Sequence, residues 1–213
     1  LLDDEHCCGV ALISNGLIDK ARRQGTKNIA SIRRSIEEED RTVLATSSTC
    51  AFTLRDEYPH LLGIPNTDVR DRIELASRFL YRLLEEKQIE LVFKPDYQKR
   101  VAYHTPCHME KLGWAIYSTS LLRMIPGVTL RMLPSNCCGI AGTYGFKREN
   151  YRSSQLIGEP LFRAIKEVAP DVVATDCETC KWQIEMSTKV KVMHPISLLA
   201  EALDEEATRA KNQ

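Results

Sequence analysis

With 213 residues, 43% of them hydrophobic and 27% charged, the chain is long enough to bury a core, either as one domain or as two small lobes. Lys plus Arg and Asp plus Glu both total 29, so no positive excess is available to hold a polyphosphate backbone, and the composition argues against nucleic acid as a partner. Eight cysteines without a basic, apolar, small-residue leader favour thiolates used as ligands or reactants over a disulfide framework, and a reducing compartment is expected. No apolar run approaches the roughly 18 residues that a membrane span needs.

The chain opens on "LLDDEHCCGV", with no initiator methionine and a cysteine pair, Cys7 and Cys8, directly before Gly9; this reads as a fragment or a processed product. "RTVLATSSTC" predicts a strand running into Cys50. From Arg70 to Glu86 the spacing of Ile73, Ala76, Leu80, Leu83 and Leu84 predicts one amphipathic helix packed on the core and bridging two halves. "QKRVAYHTPC" predicts a strand that breaks at Thr105–Pro106, which places Cys107 just past its end, and helical spacing follows in "HMEKLGWAIYSTSLLRMI". "VTLRMLPSNCC" and "DVVATDC" predict two more strands, "KWQIEMS" a helix, and "VKVMHPISLLAEAL" a strand, turn and helix. Strands alternating with helices predict an α/β fold of βαβ-type units around short, mainly parallel sheets. Functional crevices in such sheets lie beyond the carboxyl ends of the strands, and Cys107, Cys137, Cys138, Cys177 and Cys180 all fall there.

The cysteines also reveal an internal repeat. Cys7-Cys8-Gly9 returns as Cys137-Cys138-Gly139, and the same offset of 130 carries Thr49-Cys50 onto Thr179-Cys180. This predicts two pseudo-symmetric tandem units, residues 1–95 and 96–213. The second has the full set: Cys107, then 29 residues, Cys137-Cys138-Gly139, and 38 residues between Cys138 and the C-x-x-C pair Cys177 and Cys180. In the first unit Ser47 stands where the repeat has Cys177, and the counterpart of Cys107 would precede residue 1. Only Cys7, Cys8 and Cys50 remain, as a degenerate site.

Several thiolates held together suit zinc, copper(I) or iron–sulfur clusters. Zinc takes four tetrahedral ligands, usually as two separated pairs, whereas five cysteines with an adjacent pair suit a polynuclear centre, in which neighbouring sulfurs reach different irons. Gly139, Gly142 and Gly145 either let backbone N–H groups approach sulfur or simply form a turn opening a helix. Asp176 is expected as the N-cap of the following helix. His104 and His108 flank Cys107 as hydrogen-bond donors to the site, as an extra ligand or as ordinary backbone-bonded histidines, and Glu178 and Glu185 are expected to be solvated. Neither a G-x-G-x-x-G fingerprint nor a phosphate loop is present, so no nucleotide is expected.

The C…CCG…C-x-x-C pattern resembles the cysteine-rich CCG domain family, which includes the B subunit of heterodisulfide reductase, the iron–sulfur subunits of glycolate and lactate oxidation systems, and the C subunit of anaerobic glycerol-3-phosphate dehydrogenases. The longer stretches "YHTPCHMEKLGW", "CCGIAGTYGFKRENY", "TDCETCKWQIEMST" and "ATSSTCAFTLRDEYP" resemble the last group, over nearly the whole chain and in its C-terminal CCG portion. The resemblance implies ligation by Cys107, Cys137, Cys138, Cys177 and Cys180 of one 4Fe–4S cluster, which in heterodisulfide reductase is noncubane. It also implies a non-catalytic electron-transfer subunit, peripheral on the cytoplasmic face of the cell membrane, taking electrons from flavin-containing catalytic subunits and passing them toward menaquinone in anaerobic respiration. A heterodisulfide reductase-like catalytic subunit, a zinc-stapled adaptor and a simple C-x-x-C redox protein are the alternatives.

Overall fold

The computed structural model describes residues 4–213. The first half runs through helices α1 (Val10–Ile13) and α2 (Ile18–Glu39), strand β1 (Val43–Ala45), helices α3 (Ser48–Phe52) and α4 (Tyr58–Leu61), strand β2 (Ile73–Leu75) and helix α5 (Ala76–Glu85). The second half follows as β3 (Lys99–Tyr103), α6 (Cys107–Leu112), α7 (Ala115–Arg123), β4 (Val128–Met132), α8 (Tyr151–Val168), β5 (Val172–Ala174), α9 (Glu178–Thr188), β6 (Val192–Met193), α10 (Pro195–Ala202) and α11 (Glu205–Lys211).

The strands form two sheets. β1 and β2 pair in parallel, and the second half makes a four-stranded parallel sheet in the order β4-β3-β5-β6. All three residues of the inner strand β5 are buried, which is why "VVA" reads as a continuous apolar run, whereas β4 lies at an edge and keeps Thr129, Arg131 and Met132 exposed. Helices cover both faces of this sheet. Ala102, Val173 and Val192 pack with Leu161, Phe162 and Ile184 of α8 and α9. On the opposite face, Val101, Tyr103 and Val172 pack with Leu121 and Leu122 of α7 and Leu198 and Leu199 of α10.

The expected helix from Arg70 to Glu86 is shorter than its apolar spacing suggests. A 3₁₀ turn at Arg70–Arg72 leads into β2, and the helix begins only at Ala76. Ile73 and Leu75, both fully buried, belong to a period-2 pattern that pairs with β1; the chance spacing of Ile73 with Ala76 and Leu80 imitates a helical stripe. The bridging role does belong to α5, whose Leu80, Tyr81 and Leu84 join the apolar cluster built on α7 and α10.

One buried carboxylate ties the halves together. Asp176, fully buried, accepts from Tyr103 Oη at 2.6 Å and Ser118 Oγ at 2.7 Å, with Ser77 Oγ at 3.4 Å. Its backbone oxygen accepts from Ser48 N at 2.8 Å and Ser48 Oγ at 3.0 Å. Nearby, His194 Nε2 donates to Thr46 O at 2.9 Å and lies 3.7 Å from Asp176 Oδ1, while Nδ1 accepts from Ile196 N. Asp176 therefore does not cap α9 as its position suggests: the N-cap is Cys177, and the carboxylate turns inward. Burial pushes the Asp176 carboxyl up, while His194 first and then the Tyr103, Ser118 and Ser77 hydroxyls pull it back toward the charged form.

The loop after Cys138 lies flush against α8. Gly139 has φ 88°, and a Cβ there would stand 2.0 Å from Ser154 O; a Cβ on Gly158 would stand 2.5 Å from Cys138 O.

Close packing at Gly158 and the buried hydroxyls around Asp176 make stability sensitive at both places. Gly158→Ala, which on helix propensity alone would stabilise by about 1 kcal/mol, is expected to lower the denaturation midpoint, because the new methyl meets the Cys138 carbonyl; a raised midpoint would show that the loop is free to move away. Asp176→Ala is expected to cost roughly 2–4 kcal/mol by leaving several buried hydroxyls unpaired, against about 1–2 kcal/mol for Tyr103→Phe. Urea denaturation of the two variants checks the order, and equal losses would deny the carboxylate its organising role.

Candidate metal centre

The carboxyl ends of β3, β4 and β5 converge on one cavity that Cys107, Cys137, Cys138, Cys177 and Cys180 all line. Pro106 ends the strand segment before Cys107, which opens α6; Cys177 sits at the start of α9 and Cys180 in its first turn. The loop after β4 delivers the adjacent pair in opposite senses: Cys138 is buried at 2% exposure, whereas Cys137 is exposed and accepts the Gly139 N–H at 3.3 Å. This is the backbone-to-sulfur approach that the glycine allows. Gly142 and the residues after it turn through two short 3₁₀ segments into α8, so the glycines serve the turn as well.

Cys138 Sγ and Cys180 Sγ lie 3.2 Å apart as free thiols, and all eight cysteines are free. His104, 1% exposed, has both ring nitrogens buried without a hydrogen-bond partner, and a ring nitrogen lies within 4.8 Å of both sulfurs. Its orphaned nitrogens set it apart from an ordinary backbone-bonded histidine. His108 also borders the cavity, with its ring stacked on Phe52 at 5.0 Å and its Nδ1 3.1 Å from Thr49 Oγ1. Burial pushes the His108 ring down from its ordinary value, toward the neutral form.

Crowding splits the thiols into donors and acceptors. Cys138 is held strongly toward the thiolate by the thiols of Cys137 and Cys180, and those two are pushed up in turn. Cys177 is pushed down to about 6, first by the Cys180 thiol, with the hydroxyls of Thr179 and Thr49 adding to it. Burial raises Cys107. Two thiolates are thus favoured in the protein's own field, and a bound cation would favour the remainder. Five thiols and an unpaired imidazole around one cavity form a donor set that suits a soft metal ion or an iron–sulfur cluster.

The first half repeats part of this arrangement. Cys8 packs with Cys50 in one buried cluster, Cys7 and Cys8 line a cavity with Cys50, and Ser47 stands at the offset of Cys177. The Cys50 interaction pushes Cys8 up to about 12. A second cavity, of about 560 Å³, lies beside Cys7, Cys8, Ser47, Cys50 and the open side of β1.

Glu178 is exposed and only 3.9 Å from Lys181, as a solvated residue would be. Glu185 is not merely solvated, since it accepts the Val192 N–H at 2.9 Å and fastens α9 to β6. Thr49, whose hydroxyl lies 3.4 Å from Cys177 Sγ, is not marked by the cysteine motifs themselves. Its one sequence signal is its place in the repeat, directly opposite Thr179.

The model of the cysteine-rich CCG domain matches residues 1–55 and 101–185. The chain is 59% identical over 203 residues to the C subunit of anaerobic glycerol-3-phosphate dehydrogenase of Escherichia coli, covering 95% of this chain and 51% of that protein. It is 29% identical over 183 residues to lactate utilization protein A of Bacillus licheniformis, covering 80% and 71% of the two chains. Over 215 residues, 94% of this chain and 50% of the relative, it is 26% identical to the D subunit of the dihydromethanophenazine:CoB–CoM heterodisulfide reductase of Methanosarcina barkeri. The chain spans about half the length of the dehydrogenase subunit that it matches. Both regions of the domain model fall on the two sets of cysteines, and on this match the chain belongs to the cysteine-rich CCG domain family.

Proposed function

We propose that this chain is the part of an electron-transfer subunit that carries two tandem CCG units, 1–95 and 96–213, with one iron–sulfur cluster, of the 4Fe–4S type, held by Cys107, Cys137, Cys138, Cys177 and Cys180 in the second. The observation that carries the reading is the convergence of all five cysteines, from three strand ends, on one cavity. When bound, such a cluster supplies one-electron redox chemistry. The polypeptide's task is to hold the sulfurs, neutralise their charge with nearby donors and keep bulk water from the buried side, where Cys138, Cys177 and Cys180 are each at most 5% exposed.

Similarity to the dehydrogenase subunit supports a place in a glycerol-3-phosphate dehydrogenase complex, between flavin-containing catalytic subunits and the menaquinone pool. The membrane would be approached from its cytoplasmic face as a peripheral surface. No described helix is long and apolar enough to cross it.

A second reading has its own support. The cavity between the cysteines measures about 30 Å³, close to the space of one water molecule. Cys138, Cys180 and His104 offer two sulfurs and a nitrogen within 4.8 Å, a set that suits zinc in a structural role. Cys107 and Cys137, the exposed thiols, mark the side from which a larger inorganic group would be accommodated.

Metal analysis decides between them. After anaerobic purification and reconstitution with iron and sulfide, about four irons and four sulfides per chain are expected, retained in Cys50→Ser and lost in Cys138→Ser. One zinc with no iron would establish the structural reading. Equal loss of iron in both variants would mean that the halves share a single site.

A further inference from the structure

The two halves of the repeat meet at one sulfur. Thr179 Oγ1 lies 3.3 Å from Cys177 Sγ within the C-terminal half, and Thr49 Oγ1, its counterpart at the offset of 130, reaches the same sulfur at 3.4 Å from the other half. Among the described residues that line the five-cysteine cavity, Thr49 is the one supplied by the N-terminal half. We propose that Thr49 is a tuning residue of the C-terminal thiolate site, donating a hydrogen bond to Cys177 across the interface so that the first half sets the redox potential of the second. This rests on the cluster reading above and extends it to the purpose of the degenerate half.

Proton inventory fixes the direction of the bond. A ligating Cys177 is a thiolate with no hydrogen, so the Thr49 hydroxyl, which has one, must be the donor. Its oxygen is then free to accept, and His108 Nδ1 stands 3.1 Å away to supply an N–H. That ring is held by its stack on Phe52, 5.0 Å between centroids and 11° between planes. The order His108, Thr49, Cys177 is a polarised chain in which each bond strengthens the next.

The threonine is also held in place. Ser48, the preceding residue, bonds the Asp176 carbonyl through both its N–H and its hydroxyl, at 2.8 and 3.0 Å, and Asp176 directly precedes Cys177. Asn15 Nδ2 also donates to Thr143 Oγ1 at 2.8 Å, a second hydrogen bond between the two halves. Loss of the first half's own cluster residue at Ser47 has therefore left in place the neighbouring side chain that serves the other half.

A hydrogen bond to a ligand sulfur withdraws charge and stabilises the reduced, more negative state, so it raises the potential. The test is a potentiometric titration followed by EPR on the whole protein, purified anaerobically and loaded with iron and sulfide. Thr49→Val keeps the shape and removes the donor; it is expected to keep its iron and to move the midpoint negative, lowering the reduced-to-oxidised ratio at fixed poise by roughly three- to tenfold, the span of one net hydrogen bond. Thr49→Ser keeps the donor and is expected to restore the midpoint. An unchanged midpoint in Thr49→Val, or an equal shift in Thr49→Ser, overturns the proposal. If Thr49→Val and Thr49→Ala lose iron while Thr49→Ser keeps it, the hydroxyl retains the metal rather than tuning it, and the proposal is again overturned. A wild-type protein that takes up no iron fails the cluster reading itself, a result separate from any effect of Thr49.

Discussion

A single carboxylate that water cannot reach organises this molecule. Asp176 lies in the interior with hydroxyls from β3, α5 and α7 aimed at its oxygens, and its main-chain carbonyl is gripped by Ser48 at the start of α3. A buried carboxylate left unpaired is costly, so these donors must stay where they are, and the elements that bear them are held in one relative placement. Two of the serines, Ser48 and Ser77, come from the N-terminal half and two donors, Tyr103 and Ser118, from the C-terminal half. The interface between the repeats is thus specified by directional bonds as well as by the apolar packing of α5.

The consequence for the metal centre is one of distance along the chain. Asp176 immediately precedes Cys177, so fixing the carboxylate fixes where the first residue of the C-x-x-C pair leaves β5. Gly139 and Gly158 act on the opposite wall, bringing the Cys138 loop into backbone contact with α8. Between them, Cys138 and Cys180 meet at 3.2 Å. The sulfurs are thus presented by walls held through backbone contact and buried hydrogen bonds.

The offset of 130 places Ser47 opposite Cys177 and Thr49 opposite Thr179. Thr49 stands 3.4 Å from Cys177 Sγ, nearly as close as Thr179 at 3.3 Å. The larger cavity beside Cys7, Cys8 and Cys50 runs along the open side of β1 and has fewer sulfurs.

Cysteine spacing and the strand pattern were enough to place five sulfurs at strand ends, where they line one cavity, because parallel strands present the residues that follow them along one edge. Continuous apolar runs likewise determined the inner strands, as at Val172 and Val173. Tertiary structure decided the rest. It converted Ile73–Leu75 from the front of a helix into a strand, because β1 offered a pairing edge that local spacing cannot register. It turned Asp176 from a helix cap into the centre of the interface, because which way a carboxylate faces depends on donors far away in the chain. It also isolated the His104 ring among sulfurs and brought Thr49 to Cys177, 128 residues away. Motifs register which groups can do chemistry; only the folded chain decides which of them meet, since the meeting is set by contacts between segments that carry no local trace of one another.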